Sequence, residues 1–168
     1  LFNKENNNPQ TNSKPASSTS TNKSPVKINA NKALDELVGL TSVKRELKRI
    51  KAYAVKNKDK NINIHMAFLG NPGTGKTSVA RKMGEVLQAM DILPTSRVIE
   101  ASRATLVGKY MGETPKIVNN MCDKAMGGIL FIDEAYTLSS DNDMYGKEAI
   151  DTLMKRMEDD RGKFVVIA

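Results

Sequence analysis

This chain has almost no cysteine and almost no histidine: Cys122 and His65 are the only ones. One cysteine excludes an internal disulfide and fits a reducing compartment. One histidine excludes a histidine cluster for a metal, and a structural histidine at a strand edge is the reading for His65. No apolar run reaches the roughly 20 residues that cross a bilayer. No signal peptide stands at the start, so a cytoplasmic protein with no membrane partner is expected. Apolar residues are also scarce at the beginning. Residues 1–30 are built from Asn, Ser, Thr, Pro and Lys, with Asn6-Asn7-Asn8 and Ser17-Ser18-Thr19-Ser20-Thr21 as low-complexity runs. Such a segment buries too little to offset the entropy of ordering. Residues 1–33 are therefore expected to be a disordered polar arm or linker.

The net charge of +7 invites a nucleic-acid partner, but its distribution argues against one. Lys4, Lys14, Lys23, Lys27 and Lys32 face Glu5 alone in residues 1–33, which is +4 of the +7 and leaves +3 for the rest. Much of the excess sits on the arm rather than on a folded basic face. The chain opens with Leu1 and stops within Phe164-Val165-Val166-Ile167-Ala168, so it reads as a piece of a longer protein.

From about Leu34 the texture becomes that of a folded core. Val43, Leu47, Ile50 and Ala54 recur at helical spacing after Thr41, an N-cap residue type. Residues 62–69 form a mostly apolar run that reads as a buried strand. Val79, Met83, Val86, Leu87 and Met90 make a helical stripe, and residues 97–101 a short strand. Thr114-Pro115 reads as an N-cap followed by proline in the first turn. Ile117, Val118, Met121, Cys122 and Ala125 continue that helix along one face, which makes Cys122 a buried core thiol rather than a nucleophile. Residues 129–132 form a second buried strand. Ile150, Leu153, Met154 and Met157 mark another helix, and residues 164–167 another strand. Strands that read as continuous apolar runs, alternating with helices, predict an α/β fold: a parallel sheet with helices on both faces. The nine methionines fall mostly at core spacing, which is ordinary packing.

Between the first strand and its helix lies Gly70-Asn71-Pro72-Gly73-Thr74-Gly75-Lys76-Thr77, a complete GxxxxGK[ST] phosphate loop. Glycines let the backbone fold tightly and turn its N–H groups onto phosphate oxygens. The helix that follows, with Ser78 in its first turn, adds unpaired amides and a positive end. Lys76 can reach the β- and γ-phosphates, and the Thr77 hydroxyl can bind Mg²⁺. A strand before and a helix after are the context this chemistry requires.

Ile129-Leu130-Phe131-Ile132-Asp133-Glu134 is an apolar strand that ends in two carboxylates. Ligands of parallel sheets bind at the carboxyl ends of strands, so both acids are expected to face the phosphate loop. Asp133 is expected to hold Mg²⁺ through water, and Glu134 to orient and polarise the attacking water. ATP and Mg²⁺ are the cofactors this constellation implies.

These motifs, with Leu37-Val38-Gly39-Leu40, Leu106-Val107-Gly108-Lys109-Tyr110-Met111-Gly112, Gly127-Gly128 and Ala135-Tyr136 around the acidic strand, and Glu148-Ala149-Ile150-Asp151-Thr152-Leu153, resemble AAA+ ATPases. The chain looks most like the family of red-type Rubisco activase (CbbX) and stage V sporulation protein K. The resemblance implies the P-loop NTPase large subdomain over 34–168, incomplete at its C-terminus and without the helical lid. It implies a ring, usually a hexamer, with ATP at subunit interfaces and Val38 and Gly39 lining the adenine pocket. It also implies that Tyr110, Met111 and Gly112 form a pore loop that grips a protein client. Gly108 and Gly112 flank that loop and suggest that it can move. Arg103, Arg156 and Arg161 receive no arginine-finger role, and the isolated piece is expected to turn over poorly. A protein-remodelling ATPase is the leading reading. A nucleic-acid motor and a nucleotide-dependent scaffold with little turnover are the alternatives.

Overall fold

A computed structural model describes residues 41–56, 63–71, 73–140 and 143–168. Residues 1–40, including the arm, Val38 and Gly39, lie outside the described residues, as does Pro72. Helix α1 is Thr41–Lys56 and α2 is Lys76–Ala89; strand β1 is Val98–Ala101, followed by the one-turn α3, Arg103–Leu106. Helix α4 is Thr114–Ala125 and strand β2 is Ile129–Ile132; a 3₁₀ turn over Ala135–Ser139, helix α5 (Met144–Asp159) and strand β3 (Val165–Ile167) complete the order.

The three strands run parallel in the order β1-β2-β3, with Val98 opposite Ile129 and Ile129 opposite Val165. The extended segment before the phosphate loop joins beside β3 through a parallel bridge between Met66 and Ile167. The first segment in the chain thus neighbours the last strand. The winding reverses there, which opens a crevice at the carboxyl ends.

Alternation along β2 divides the core. Ile129 and Phe131 pack with Leu47, Met83, Val86 and Leu87, the apolar faces of α1 and α2. Leu130 and Ile132 pack on the other side with Leu106, Val118, Cys122 and Leu153, the faces of α3, α4 and α5. All four β2 residues are buried. A strand covered on both faces can be apolar at every position, which explains the unbroken run. Truncating Phe131 to alanine would cost about 3–5 kcal/mol. Burial also pushes the Cys122 thiol up to about 11, as suits a core side chain.

Three sequence expectations need correction. The segment of residues 62–69 is not a fully buried strand. Ile64 is buried, but Leu69 is 96% exposed. Among the described residues its backbone pairs with the β3 side alone, from Met66 to Val166 and from Phe68 to Ala168. Thr114 is the first residue of α4 rather than its cap, and Glu113 holds the cap position with Pro115 in the first turn. The buried Thr114 hydroxyl accepts the Gly108 N–H at 3.1 Å instead. Met154 lies on the exposed side of α5, whereas Leu153 turns inward. The helices α3 and 3₁₀ were not foreseen, being too short to show periodicity.

Candidate functional site: a phosphate-loop cleft

Gly73 and Gly75 adopt left-handed backbone, φ 77° and 82°. Side chains rarely tolerate that conformation, and here it lets the loop fold back before α2 begins. Thr74 Oγ1 donates to the Asn71 carbonyl at 2.8 Å. Lys76 Nζ donates to the carbonyls of Gly70 (3.1 Å) and Asn71 (3.2 Å), so the cation lies across the mouth of its own loop. Gly75 supplies the first helical acceptor, taking the Val79 N–H at 3.0 Å. The amides of Lys76, Thr77 and Ser78 occupy the first turn of α2, where a helix has no partners of its own for its N–H groups.

A cleft of about 740 Å³ opens at this end of the sheet. Of the sequence-predicted residues, Gly70, Asn71, Gly73, Gly75, Lys76, Thr77, Ser78, Asp133 and Glu134 line it together. Thr74 does not line it and instead braces the loop. The walls are Phe68, Phe131 and Ile132 on the sheet side, with Tyr136 and Ala168 at the rim. Tyr136 carries part of the family resemblance in the sequence but received no site role there. It is reached only because the 3₁₀ turn folds it over the opening.

Asp133 Oδ1 accepts the Glu134 N–H at 3.0 Å. The Glu134 carboxylate makes no hydrogen bond or ion pair among the described residues. No group of three or more metal-ligating His, Cys, Asp or Glu side chains exists among the described residues. That donor set does not cage a cation by itself. One hydroxyl, one carboxylate and space for phosphates do suit Mg²⁺, which keeps its waters and binds through substrate phosphates.

The second predicted site lies apart from the cleft. Tyr110 and Met111 are 70% and 87% exposed at the tip of the loop between α3 and α4. Glu113 Oε2 accepts the N–H groups of both Lys109 and Tyr110 at 3.1 Å, and Gly112 takes the left-handed turn, φ 77°. Gly108 is buried, and a Cβ there would lie 2.5 Å from Glu113 Cβ. Gly108 therefore serves close packing at the base of the loop. The Glu113 clasp itself was missed, since a glutamate before a helix usually reads as a charge favouring the helix N-terminus.

The three unassigned arginines all have partners in their own chain. Arg103 pairs with Asp143 at 2.6 Å, Arg156 with Asp123 and Asp160, both at 2.7 Å, and Arg161 with Glu158. The Gly146 N–H and the Arg103 guanidinium hold the Asp143 carboxyl below its ordinary range.

A phosphate loop at a winding reversal, with paired acids ending the next strand but one, defines a P-loop nucleotide-binding domain of the doubly wound α/β class. The profile of the AAA family, "ATPase family associated with various cellular activities", matches residues 66–168. The chain belongs to that family. Stage V sporulation protein K of Bacillus subtilis (strain 168) is 44% identical over 145 residues, which cover 81% of this chain and 45% of that protein. Protein CfxQ of Xanthobacter flavus is 42% identical over 146 residues, 80% of this chain and 46% of the other. The chloroplastic ribulose bisphosphate carboxylase/oxygenase activase of Cyanidioschyzon merolae is 43% identical over 143 residues, with 79% and 46% covered. The chain thus spans about half the length of these relatives. The AAA domain of FIGL-1 in complex with ADP superposes with a TM-score of 0.53 at 22% identity, over 77% of this chain and 46% of that one, a likeness of fold. The expected family and fold class are both borne out.

Proposed function

We propose that this chain is the ATP-binding and ATP-hydrolysing part of a protein-remodelling machine. One observation carries the reading: Lys76 and Thr77 of the phosphate loop and Asp133 and Glu134 of β2's end line a single cleft. In this reading residues 34–168 are the ATPase core and residues 1–33 an appended arm. The loop amides from Gly73 to Ser78 bind phosphate oxygens, and the Lys76 ammonium balances their charge. The Thr77 hydroxyl and, through water, Asp133 would hold Mg²⁺, which would supply further neutralisation of the phosphates. The Glu134 carboxylate accepts a hydrogen bond from the attacking water and aligns it with the γ-phosphate. Val38 and Gly39 belong to the adenine side of the site. Hydrolysis in a ring, a hexamer by the family's habit, moves Tyr110, Met111 and Gly112 against a polypeptide client. Relatives named for sporulation and for activation of a carboxylase support a protein client rather than nucleic acid. No described helix is long and apolar enough to cross a membrane, and a cytoplasmic setting fits the single buried thiol.

The test is made in the full-length protein. Lys76→Ala removes a charged donor to phosphate and should weaken nucleotide affinity by about tenfold to a hundredfold by calorimetry. Glu134→Gln should keep that affinity and lower turnover by about a hundredfold or more. Turnover of the glutamine variant near the wild-type rate would defeat the hydrolytic assignment. Stimulation of the wild-type ATPase by an unfolded polypeptide but not by DNA is the outcome expected for a protein client.

A further inference from the structure

Glu134 is held in an unusual way. Among the described non-glycine residues only it and Asp91 have positive φ, 51° and 57°. Aspartate visits the left-handed region through its short polar side chain, whereas glutamate has no such advantage. A side-chain-bearing residue there persists only where the surroundings over-determine it. The surroundings are visible on both sides of the residue. Its N–H donates to Asp133 Oδ1 at 3.0 Å. Its carbonyl accepts two hydrogen bonds from Thr137, one from the backbone N–H at 2.9 Å and one from Oγ1 at 2.7 Å. The next residue, Leu138, is buried in the core formed with α4 and α5, so the turn that carries Thr137 is anchored.

The carboxylate itself has no partner among the described residues. The backbone therefore fixes the Cα–Cβ bond from which its rotamers start, and with it the region the carboxylate can reach. A return of Glu134 to negative φ would swing the Cα–Cβ bond to a different bearing relative to the cleft that it lines with Lys76 and Thr77.

We propose that Thr137 is a positioning residue for hydrolysis: its hydroxyl and amide clamp the Glu134 carbonyl and keep the carboxylate aimed into the phosphate-loop cleft. The proposal rests on the reading of Glu134 as the residue that aligns water. The hydroxyl is half of the clamp and is the half that mutation can remove. Valine matches threonine in shape, and serine keeps the hydroxyl without the methyl.

The experiment is steady-state and single-turnover ATPase of the full-length protein. Thr137→Val should lower kcat by about tenfold, the loss of one well-formed hydrogen bond from the aligned state. KM and calorimetric affinity for ATP should stay within about twofold, because the phosphate loop and Lys76 are untouched. Thr137→Ser should keep kcat within about threefold of wild type. In the Glu134→Gln background, Thr137→Val should slow single turnover no further, since a residue acting through Glu134 has nothing left to position. Wild-type kcat in Thr137→Val would overturn the proposal. So would an equal loss in the serine variant, or a loss that multiplies undiminished with Glu134→Gln. A Glu134→Gln variant with normal turnover would instead sink the underlying reading of Glu134, a separate failure with a separate signature.

Discussion

His65 shows how one side chain replaces a rung of the ladder. Its Nδ1 accepts the Val166 N–H at 2.9 Å, in line with the Met66 to Val166 bond. Accepting at Nδ1 places the proton of the neutral ring on Nε2, which is buried without a partner among the described residues. A protonated ring would set two donors against each other at Nδ1. Burial lowers the pKa below its ordinary 6.5, in the same direction. The unfolded chain therefore takes up this proton at higher pH than the folded one. Stability from this group is complete above pH 6.5 and falls as pH drops from there towards the folded pKa. The slope is at most about 1.4 kcal/mol per pH unit. The urea midpoint should be lower at pH 5.5 than at pH 7.5, with the difference reduced in His65→Asn, whose amide oxygen can still accept. The depressed carboxyls of Asp143 and Asp160 lose their contribution only at lower pH, so the two windows separate. A midpoint that did not move between the two pH values would show that the ring is not titrating against folding. The candidate catalytic acids were legible at this scale because their types and spacing suffice. The His65 bond was not, because its partner lies 101 residues away.

Helices α4 and α5 meet through Arg156. Its Nε donates to Asp160 Oδ2 and its Nη2 to Asp123 Oδ1, both at 2.7 Å, while Nη1 reaches Asn119. The guanidinium side chain is 17% exposed. Burial pulls its pKa down, and hydrogen bonds to Asp123 and Asp160 more than offset that, so the net direction is upward. The planar fork suits three directions at once, which a lysine cannot match. Arg156→Ala should cost about 2 kcal/mol, discounted because Asp123 is open to water, and lower the melting temperature by several degrees. Arg156→Lys should recover only part of this. Nucleotide affinity should not change, since the tie is remote from the Lys76 cleft. An unaltered melting temperature would leave α4 and α5 held by their apolar faces alone. Element existence was legible from periodicity here: residues 114–125 and the α5 stripe both show in the sequence. The cap was not, because Thr114 spends its hydroxyl on the Gly108 amide, a loop contact that no local rule anticipates.

At the scale of the whole molecule, the tip of the loop between α3 and α4 leaves two adjacent large apolar side chains, Tyr110 and Met111, exposed. Tyr110 offers a large apolar face with few rotors to freeze, and Met111 beside it adapts to varied shapes. The Glu113 clasp and the packed Gly108 hold the base of the loop, so the two side chains project without supporting the core. Tyr110→Ala in the full-length protein should therefore keep the melting temperature, ATP affinity and basal turnover. It should remove client-stimulated ATPase and client remodelling. A joint loss of stability and basal turnover would make Tyr110 a packing residue and end the pore-loop reading.

The sequence by itself determined where the phosphate loop and the acidic pair fall, and the two-faced burial of the sheet. Each depends on residue type at short spacing: GxxxxGK[ST] within eight positions, Asp133-Glu134 at a strand end, apolar stripes within one helix. Tertiary structure alone decided that β3 stands between β2 and the segment of Met66, so that the expected approach of Asp133 and Glu134 to Lys76 is made across an intervening strand. It also decided that Glu134 takes a left-handed backbone under Thr137, that His65 completes a ladder and that Gly108 is a packing contact. The division has a physical cause. Periodicity and propensity are properties of neighbouring residues. Strand order, orphaned amides and close approaches depend on which distant groups the completed core brings together.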